Sequence, residues 1–151
     1  MELQTKRCRI RNLKSEDLDD LFAVLSDPIV MKYIEPPFDR MQTAEFIKAA
    51  GLCDPPLVYG LEWRGTRALI GHVIWHPFAQ EGYEIGWILH RDYWGMGIAS
   101  EVTEALICYA DQLSIRHLIL EHSPQQTATK HIAEKFGFQI LADGFCKKQL
   151  N

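Results

Sequence analysis

Hydrophobic and polar positions change their period several times along the chain, and each period predicts a type of secondary structure. Residues 7–12 alternate, with Cys8 and Ile10 on one side, as in a half-buried strand. From Ser15, an expected N-cap, apolar residues recur at helical spacing as far as Leu25. The N-terminal region therefore predicts a strand followed by an amphipathic helix.

The middle of the chain changes from a helical to a strand period. A second helix is predicted over residues 43–50, with Gly51 at its end. Residues 57–64, 69–76 and 83–89 are then rich in aromatic and β-branched side chains, and turn-like segments separate them. We therefore predict a meander of three antiparallel strands.

The last third predicts a strand–helix–strand crossover. The apolar face of a helix of about four turns runs through residues 98–113, and the apolar run at 115–121 predicts a strand covered on both faces. Because such crossovers are right-handed, the strands on either side of this helix should be parallel. A short helix at 127–136 and a strand at 138–141 complete an α/β fold. It comprises one domain over residues 1–151, with a mixed, mostly antiparallel sheet and helices on both faces.

Composition and charge exclude several classes of function. A hydrophobic fraction of 47% and a charged fraction of 24% are those of a globular protein, and neither a membrane span nor a secretory signal is visible. The formal net charge of -4 argues against a nucleic-acid binder. The four cysteines lack the spacing of metal ligands or of a disulfide framework: Cys8, Cys53, Cys108 and Cys146. We therefore predict reduced thiols, no metal and a cytoplasmic location.

Gly95 and Gly97 lie between a strand-like run and a helix-like run, where unpaired amides and the helix dipole can bind an anion. One candidate ligand is a dinucleotide, for which Glu121 would be the acidic residue after the glycines. However, Ser100 occupies the third glycine position, and the preceding strands form a meander rather than a βαβ series. The pyrophosphate of coenzyme A is therefore the favoured ligand.

Three motifs follow one another in a fixed order along the chain. Trp94–Ala99 is similar to the signature Arg/Gln-x-x-Gly-x-Gly/Ala, with Trp at its first position, and Glu84–Leu89 is similar to a strand Glu-Ile-Gly-Tyr-Trp-Leu. Residues 124–129 and 133–138 are similar to a Pro-x-Asn-x-Ala-Ser … Glu-Lys-Leu-Gly-Phe segment. Together they resemble the GNAT superfamily of acyl-CoA N-acyltransferases, closest to its branch of ribosomal-protein N-terminal acetyltransferases.

This resemblance implies that acetyl-CoA is the co-substrate. The backbone of Trp87, Ile88 and Leu89 would pair with the pantetheine arm, as an added strand does. Backbone amides of the glycine loop would hold the pyrophosphate: Gly95, Met96, Gly97, Ile98, Ala99 and Ser100. Gln126 stands at a family Asn position that contacts the coenzyme.

Transfer of an acyl group to an amine requires a neutral nucleophile, yet a lysine-type amine has a pKa near 10.4 and an α-amine one of about 8. Glu84 and Glu121 are the candidate bases, with a surface carboxylate at a strand end as the alternative for each. Two histidines near strand ends, His76 and His122, also merit testing.

The departing thiolate has a less obvious proton donor. Many family members use a Tyr on the last helix, at a position that Ala133 occupies here. Ser123, Tyr83 or water could substitute for it.

The acceptor amine is expected between the N-terminal helices and the sheet, beside residues 33–38, where Glu35 could attract a cation. A plain connecting loop is the alternative for this segment. A protein N-terminus and a small-molecule amine both fit, and the rival function is a catalytically idle acyl-CoA-binding sensor or scaffold.

The C-terminus is shorter than the resemblance implies. Family members usually continue through two strands after the position of Phe138, whereas residues 139–151 leave room for a hairpin at Asp143-Gly144 and a stunted last strand. The chain could be naturally short, truncated, or completed by a partner subunit, which makes a homodimer one predicted assembly.

Overall fold

The predicted order of strands and helices is found in the computed structural model, which describes residues 1–80, 82–141 and 144–150. Within these ranges the chain forms eight strands: β1 (Leu3–Gln4), β2 (Cys8–Arg11), β3 (Val58–Trp63), β4 (Leu69–Phe78), β5 (Gly82–Leu89), β6 (His117–Glu121), β7 (Gln139–Ile140) and β8 (Phe145–Gln149). It also forms four α-helices: α1 (Leu18–Leu25), α2 (Arg40–Phe46), α3 (Ile98–Gln112) and α4 (Thr127–Lys135).

The strands form a single mixed sheet in the order β1-β2-β3-β4-β5-β6-β8-β7. Strands β3, β4 and β5 are the predicted antiparallel meander. Strands β5 and β6 are parallel and α3 connects them, which confirms the predicted crossover.

Three helix ends differ from the sequence-based prediction. A 3-10 turn over Ser15–Asp17 precedes α1, so Lys14 rather than Ser15 is the N-cap. The second helix starts at Arg40 instead of residue 43. Helix α3 ends at Gln112, which leaves Leu113 49% exposed instead of buried.

The early start of α2 has a local cause in a capping box. The Asp39 carboxylate accepts the Gln42 amide proton at 2.7 Å, and the Gln42 side chain accepts the Asp39 amide proton at 2.9 Å. These two bonds satisfy amides that a helix N-terminus leaves unpaired, so the helix can begin a turn earlier. It then continues as a π-helical turn over Ile47–Gly51.

The two faces of the sheet carry two separate hydrophobic clusters. One contains Val73, Ile85 and Leu118 together with residues of α3 and Ala133 of α4. The other contains Val58 together with residues of α1 and of the π-helical turn. Helices therefore cover both faces, as predicted, and the alternation of side chains along β4 and β5 decides which residues face α1 and α2.

The C-terminal residues extend the sheet beyond β6. All five residues of β8 pair with β6, from Phe145 opposite Glu121 to Gln149 opposite His117, and the two-residue β7 pairs with β8. Of the predicted Asp143-Gly144 turn, Asp143 lies outside the described residues.

None of the helices in the described part of the chain is long and apolar enough to cross a membrane.

Candidate active site

Strand β5 has a neighbour on its β6 side over only half of its length. Pairing with β6 ends at Ile85 opposite Leu120, whereas pairing with β4 continues to Leu89. In the described residues no ladder continues on the β6 side along Gly86–Leu89. The two parallel strands therefore separate after Ile85 and leave a gap between them.

The backbone groups that face this gap belong to Trp87 and Leu89. The His90 amide donates to the Ile70 carbonyl of β4 at 2.7 Å. Because hydrogen-bonding direction alternates along an antiparallel strand, Ile88 also bonds toward β4, while Trp87 and Leu89 point the other way. Of the three residues predicted to pair with a pantetheine arm, these two direct their amides and carbonyls into the gap.

Trp94 lies at the position where the family signature has Arg or Gln, and it forms a hydrogen bond with one of these backbone groups. Its indole Nε1 donates a hydrogen bond of 3.0 Å to the Leu89 carbonyl. The Trp87 amide and carbonyl and the Leu89 amide are left to pair with a ligand. The Trp94 side chain is therefore bonded to the edge of β5, and because it is uncharged it adds no positive charge to the glycine loop.

The glycine loop lies at the N-terminus of α3. Gly95 has a φ of 74° and Gly97, the N-cap, one of 81°, a region that glycine enters without strain. Around a Cβ at Gly95, no atom of the described residues would lie within 4 Å. The remaining predicted loop contacts follow in order: Met96 is exposed, Ile98 is buried, and Ala99 and Ser100 are half-buried in the first turn of α3.

Arg7 brings a cation to this loop that the sequence pattern did not reveal. A Cβ at Gly97 would lie 3.7 Å from Arg7 Nη2, and Arg7 Nε pairs with the Glu101 carboxylate of α3 at 2.9 Å. These partners are 94 residues apart, so no local period could have indicated the contact.

Gln126 lies at the N-cap of α4, where its side chain is already engaged. Its Oε1 accepts the Ser123 amide proton at 2.6 Å, and the Ser123 hydroxyl donates to Gln125 Oε1. Its amide NH₂ is the group left for a ligand. The contact between Gln126 and a coenzyme stays a prediction.

A pocket of about 280 Å³ lies between the N-terminal helices and the β4–β5 face. Three consecutive cross-strand pairs meet on this face: His72 with Ile88, Ile74 with Gly86, and His76 with Glu84. Five of these six residues line the pocket, and Ile34, Glu35 and Phe38 of the predicted acceptor segment line it as well.

Glu84 and His76 form a close pair at one end of this pocket. Glu84 Oε2 lies 3.2 Å from His76 Nε2, and the two side chains are 14% and 25% exposed. His76 Nδ1 lies 2.8 Å from the Pro77 carbonyl, which can only accept, so Nδ1 carries a proton and Nε2 faces the carboxylate. Burial raises the pKa of Glu84 and the charge of Glu121 adds to this rise, while His76 opposes it.

The other predicted catalytic residues are less enclosed or lie elsewhere. Glu121 is on the same face as Glu84, since Glu84 is in register with Ile119, but it is exposed and does not line the pocket. Tyr83 projects to the opposite face, where its ring lies 4.8 Å from that of Trp75. His122 is buried, and its Nε2 has no hydrogen-bond partner among the described residues.

His72 is a pocket residue that the sequence analysis did not single out. It is 3% exposed, its ring centroid lies 5.1 Å from that of Phe46, and Nδ1 has no partner among the described residues. Burial lowers its pKa to about 4, so the imidazole is neutral at physiological pH. Its place opposite Ile88 follows from strand register, which the sequence period alone does not fix.

The structure thus brings together a parted strand pair, a helix N-terminus that follows two glycines, and a carboxylate-bearing pocket on one face of the sheet. Comparison with known families identifies the enzyme class. Residues 7–139 match the family model of the acetyltransferase (GNAT) domain. The chain belongs to this family of acyl-CoA-dependent acetyltransferases.

Individual relatives agree with this assignment. The chain is 28% identical over 150 residues to the uncharacterized N-acetyltransferase YnaD of Bacillus subtilis, covering 98% of this chain and 87% of YnaD. An acetyltransferase (GNAT family) structure from Bacillus anthracis has a TM-score of 0.87 at 24% identity, covering 99% and 98% of the two chains.

Two further structures share the fold. One from Vibrio cholerae, named as a ribosomal-protein-serine acetyltransferase, has a TM-score of 0.82 at 17% identity, covering 99% and 98% of the two chains. The microcin C7 self-immunity acetyltransferase MccE, in complex with acetyl-CoA and AMP, has a TM-score of 0.79 at 13% identity, covering 96% and 93%. At these identities the likeness shows the fold alone.

Proposed function

We propose that this protein is an N-acetyltransferase that transfers an acetyl group from acetyl-CoA to a primary amine. The observation that carries the proposal is the position of Glu84: it lines the acceptor pocket one residue before β5 and β6 separate. A carboxylate there lies where an amine in the pocket and a ligand in the gap would meet.

The residues around the gap suit acetyl-CoA. The Trp87 backbone and the Leu89 amide offer hydrogen bonds of the kind that an added strand makes. The first-turn amides of α3 offer an anion site beside Gly95, where a side chain would meet open space. Arg7, which Glu101 holds in an ion pair, has its Nη2 close to Gly97, where it can donate a hydrogen bond to an anion. When bound, acetyl-CoA supplies the activated thioester.

Glu84 is the proposed base. An amine arrives mostly protonated, because its pKa lies at or above about 8. The Glu84 carboxylate accepts the proton, and its raised pKa makes it a stronger acceptor than an ordinary glutamate. His76 Nε2, 3.2 Å away and nearer to solvent, can then share that proton and pass it outward.

Binding of acetyl-CoA followed by turnover of an amine panel tests the proposal. We expect calorimetric binding of acetyl-CoA and release of free CoA thiol with at least one primary amine. Binding without any turnover would favour the catalytically idle sensor, and failure to bind would return the dinucleotide to consideration.

Replacing Glu84→Gln separates catalysis from binding. We expect kcat/KM to fall about 100-fold or more at pH 7, with a smaller loss at pH 9, where more amine is already deprotonated. The acetyl-CoA dissociation constant should be unchanged, and Glu104→Gln on the exposed face of α3 is the matched control. Undiminished turnover from pH 6 to 9 would remove Glu84 from the mechanism and leave Glu121 or water as the base.

The cytoplasmic location and the homodimer stay predictions. The molecular mass from light scattering is the measurement for the homodimer, and a monomer mass would contradict it.

A further inference from the structure

The walls of the acceptor pocket are far less polar than the end that carries Glu84 and His76. Of the fourteen lining residues, ten are apolar, and the four others are Glu35, His72, His76 and Glu84. Four of the lining residues are buried and form its inner wall: Leu25, Met31, Val58 and His72. Beyond the Glu84–His76 pair, an occupant therefore meets an almost entirely hydrocarbon surface.

Away from the Glu84–His76 pair, Glu35 is the one carboxylate in the pocket lining that the structure describes. Glu35 is exposed at the rim, where water and salt screen its charge. His72, the polar residue of the inner wall, is neutral at physiological pH, since burial lowers its pKa to about 4. A second ammonium group placed in the pocket would thus be buried without a partner, which is strongly unfavourable.

The floor of the pocket sets the orientation and the length of an occupant. The His76–Glu84, Ile74–Gly86 and His72–Ile88 pairs follow one another along the two strands. At about 3.3 Å per residue, the four residue-to-residue steps from His76 to His72 span about 13 Å. Gly86 has no side chain, and Ile74 covers it: a Cβ there would lie 3.0 Å from Ile74 Cδ1, so Ile74 forms the middle of this floor.

From these features we propose that the acceptor is a small primary monoamine with an apolar body. The amine lies at Glu84, the body lies over Ile74 toward His72, and polyamines and aminoglycosides are excluded. The volume of about 280 Å³ holds roughly nine water-sized groups, at about 30 Å³ each, which suits an arylalkyl amine or one bulky apolar amino-acid residue. The inference rests on the proposed amine acetylation and names its substrate class.

The first experiment compares phenethylamine, glycinamide and spermidine as acceptors with acetyl-CoA. Enclosing the phenyl ring should raise kcat/KM for phenethylamine about 10- to 100-fold above glycinamide, and spermidine should be no better than glycinamide. Equal or higher kcat/KM for glycinamide or spermidine would overturn the proposal.

Binding of the amines gives a readout that does not need turnover. With CoA present, phenethylamine should raise the thermal unfolding midpoint more than spermidine does at the same concentration. If this shift is seen but no amine is acetylated, the pocket assignment stands and the proposed function fails. The absence of both turnover and shift would overturn the assignment itself.

An Ile74→Ala variant tests whether the body of the amine lies on this floor. We expect kcat/KM for phenethylamine to fall about tenfold and that for glycinamide, which does not reach Ile74, to change less than twofold. Since both amines are measured on the same variant, loss of folded protein cancels in their ratio. Leu113→Ala removes an exposed aliphatic side chain outside the pocket and should leave the ratio unchanged. An unchanged ratio for Ile74→Ala would overturn the placement.

Two sources of such an amine can be distinguished with peptides. Phenylalaninamide is compared with a short peptide that begins with Phe and with the same peptide beginning with Ser. Preference for the Phe peptide over the amide would identify a protein N-terminus as the source, and the reverse would identify a free small molecule. Equal turnover of the Phe and Ser peptides would overturn the apolar-body requirement.

Discussion

Two groups of ionisable side chains are enclosed by this fold, and they are built in opposite ways. Arg11 donates to both carboxylate oxygens of Asp17 at 2.9 Å and to Glu62 at 2.6 Å, and all three side chains are buried. At the Glu84–His76 pair, by contrast, Glu84 pairs with a histidine rather than with an arginine and faces a pocket.

The pKa shifts of the two carboxylates follow from this difference. Burial by itself would raise the pKa of Asp17, but hydrogen bonds from Arg11 and from the Lys14 amide lower it. The pKa of Glu84 is raised, because burial and the charge of Glu121 outweigh the opposing effect of His76. A saturated buried carboxylate holds the structure together, whereas an under-satisfied one facing a pocket is suited to accept a proton.

The largest expected effect on stability comes from disrupting the buried Arg11–Asp17–Glu62 group. Arg11→Met should lower the free energy of unfolding by about 3–5 kcal/mol, because Asp17 and Glu62 would remain buried without their cation. In a thermal melt this corresponds to a midpoint about 6–20 °C lower for a chain of this size.

The matched control is Arg9→Met on the same strand. Arg9 pairs with Glu2 at the surface, where an ion pair contributes about 0–1 kcal/mol. Equal destabilisation by the two variants would show that the buried Arg11–Asp17–Glu62 group contributes no more to stability than a surface ion pair does. The acetyl-CoA affinity of the folded fraction should be unchanged in both.

This buried group also shows where sequence reasoning stops. The alternation at residues 7–12 predicts Cys8 and Ile10 on the buried side and therefore Arg11 on the other, yet Arg11 is 7% exposed. It can be buried because Asp17 and Glu62 neutralise it, and Glu62 is 51 residues away in sequence. A local period carries no information about such a partner.

The fold itself was largely predictable. The meander, the crossover helix and its parallel strands are set by local periods of apolar residues and by glycine punctuation, which the sequence displays directly. The place of the glycine loop before α3 and that of Glu84 on β5 were predictable because both lie in short contiguous motifs. The burial of His72, the ion pair of Arg7 with Glu101 beside the glycine loop, and the hydrogen bond from Trp94 to Leu89 depend on register and on packing, and a single sequence contains neither.

A second prediction uses the pH dependence of stability to distinguish the Arg11–Asp17–Glu62 group from the Glu84–His76 pair. Asp17 has a lower pKa in the folded than in the unfolded chain, so the unfolded state binds more protons in the acid range. Its stabilising contribution is complete above the unfolded value of about 3.9 and is lost as the pH falls through the folded value. Asp17→Asn should therefore be less stable at pH 7 and should lose less further stability between pH 5 and pH 3. Parallel acid limbs for variant and parent in urea titrations would contradict this.

The smallest effect is expected at Glu84 and has the opposite sign. Because the folded chain holds the proton of Glu84 more tightly, ionising this carboxyl costs stability as the pH rises from the unfolded value of about 4.3 through the raised folded value. Glu84→Gln should therefore raise the unfolding midpoint at pH 7 by about 1–3 °C, or under about 1 kcal/mol. The gain should vanish at pH 4, where the parent is also largely protonated.

Glu104→Gln, on the exposed face of α3, is the matched control. A Glu84→Gln enzyme that is both slower and less stable at pH 7 would contradict the comparison. The Glu84 carboxylate of the parent would then stabilise the fold, as the Asp17 carboxylate does. A slower but more stable variant would instead mean that the chain gives up stability to keep an under-satisfied carboxylate in its acceptor pocket.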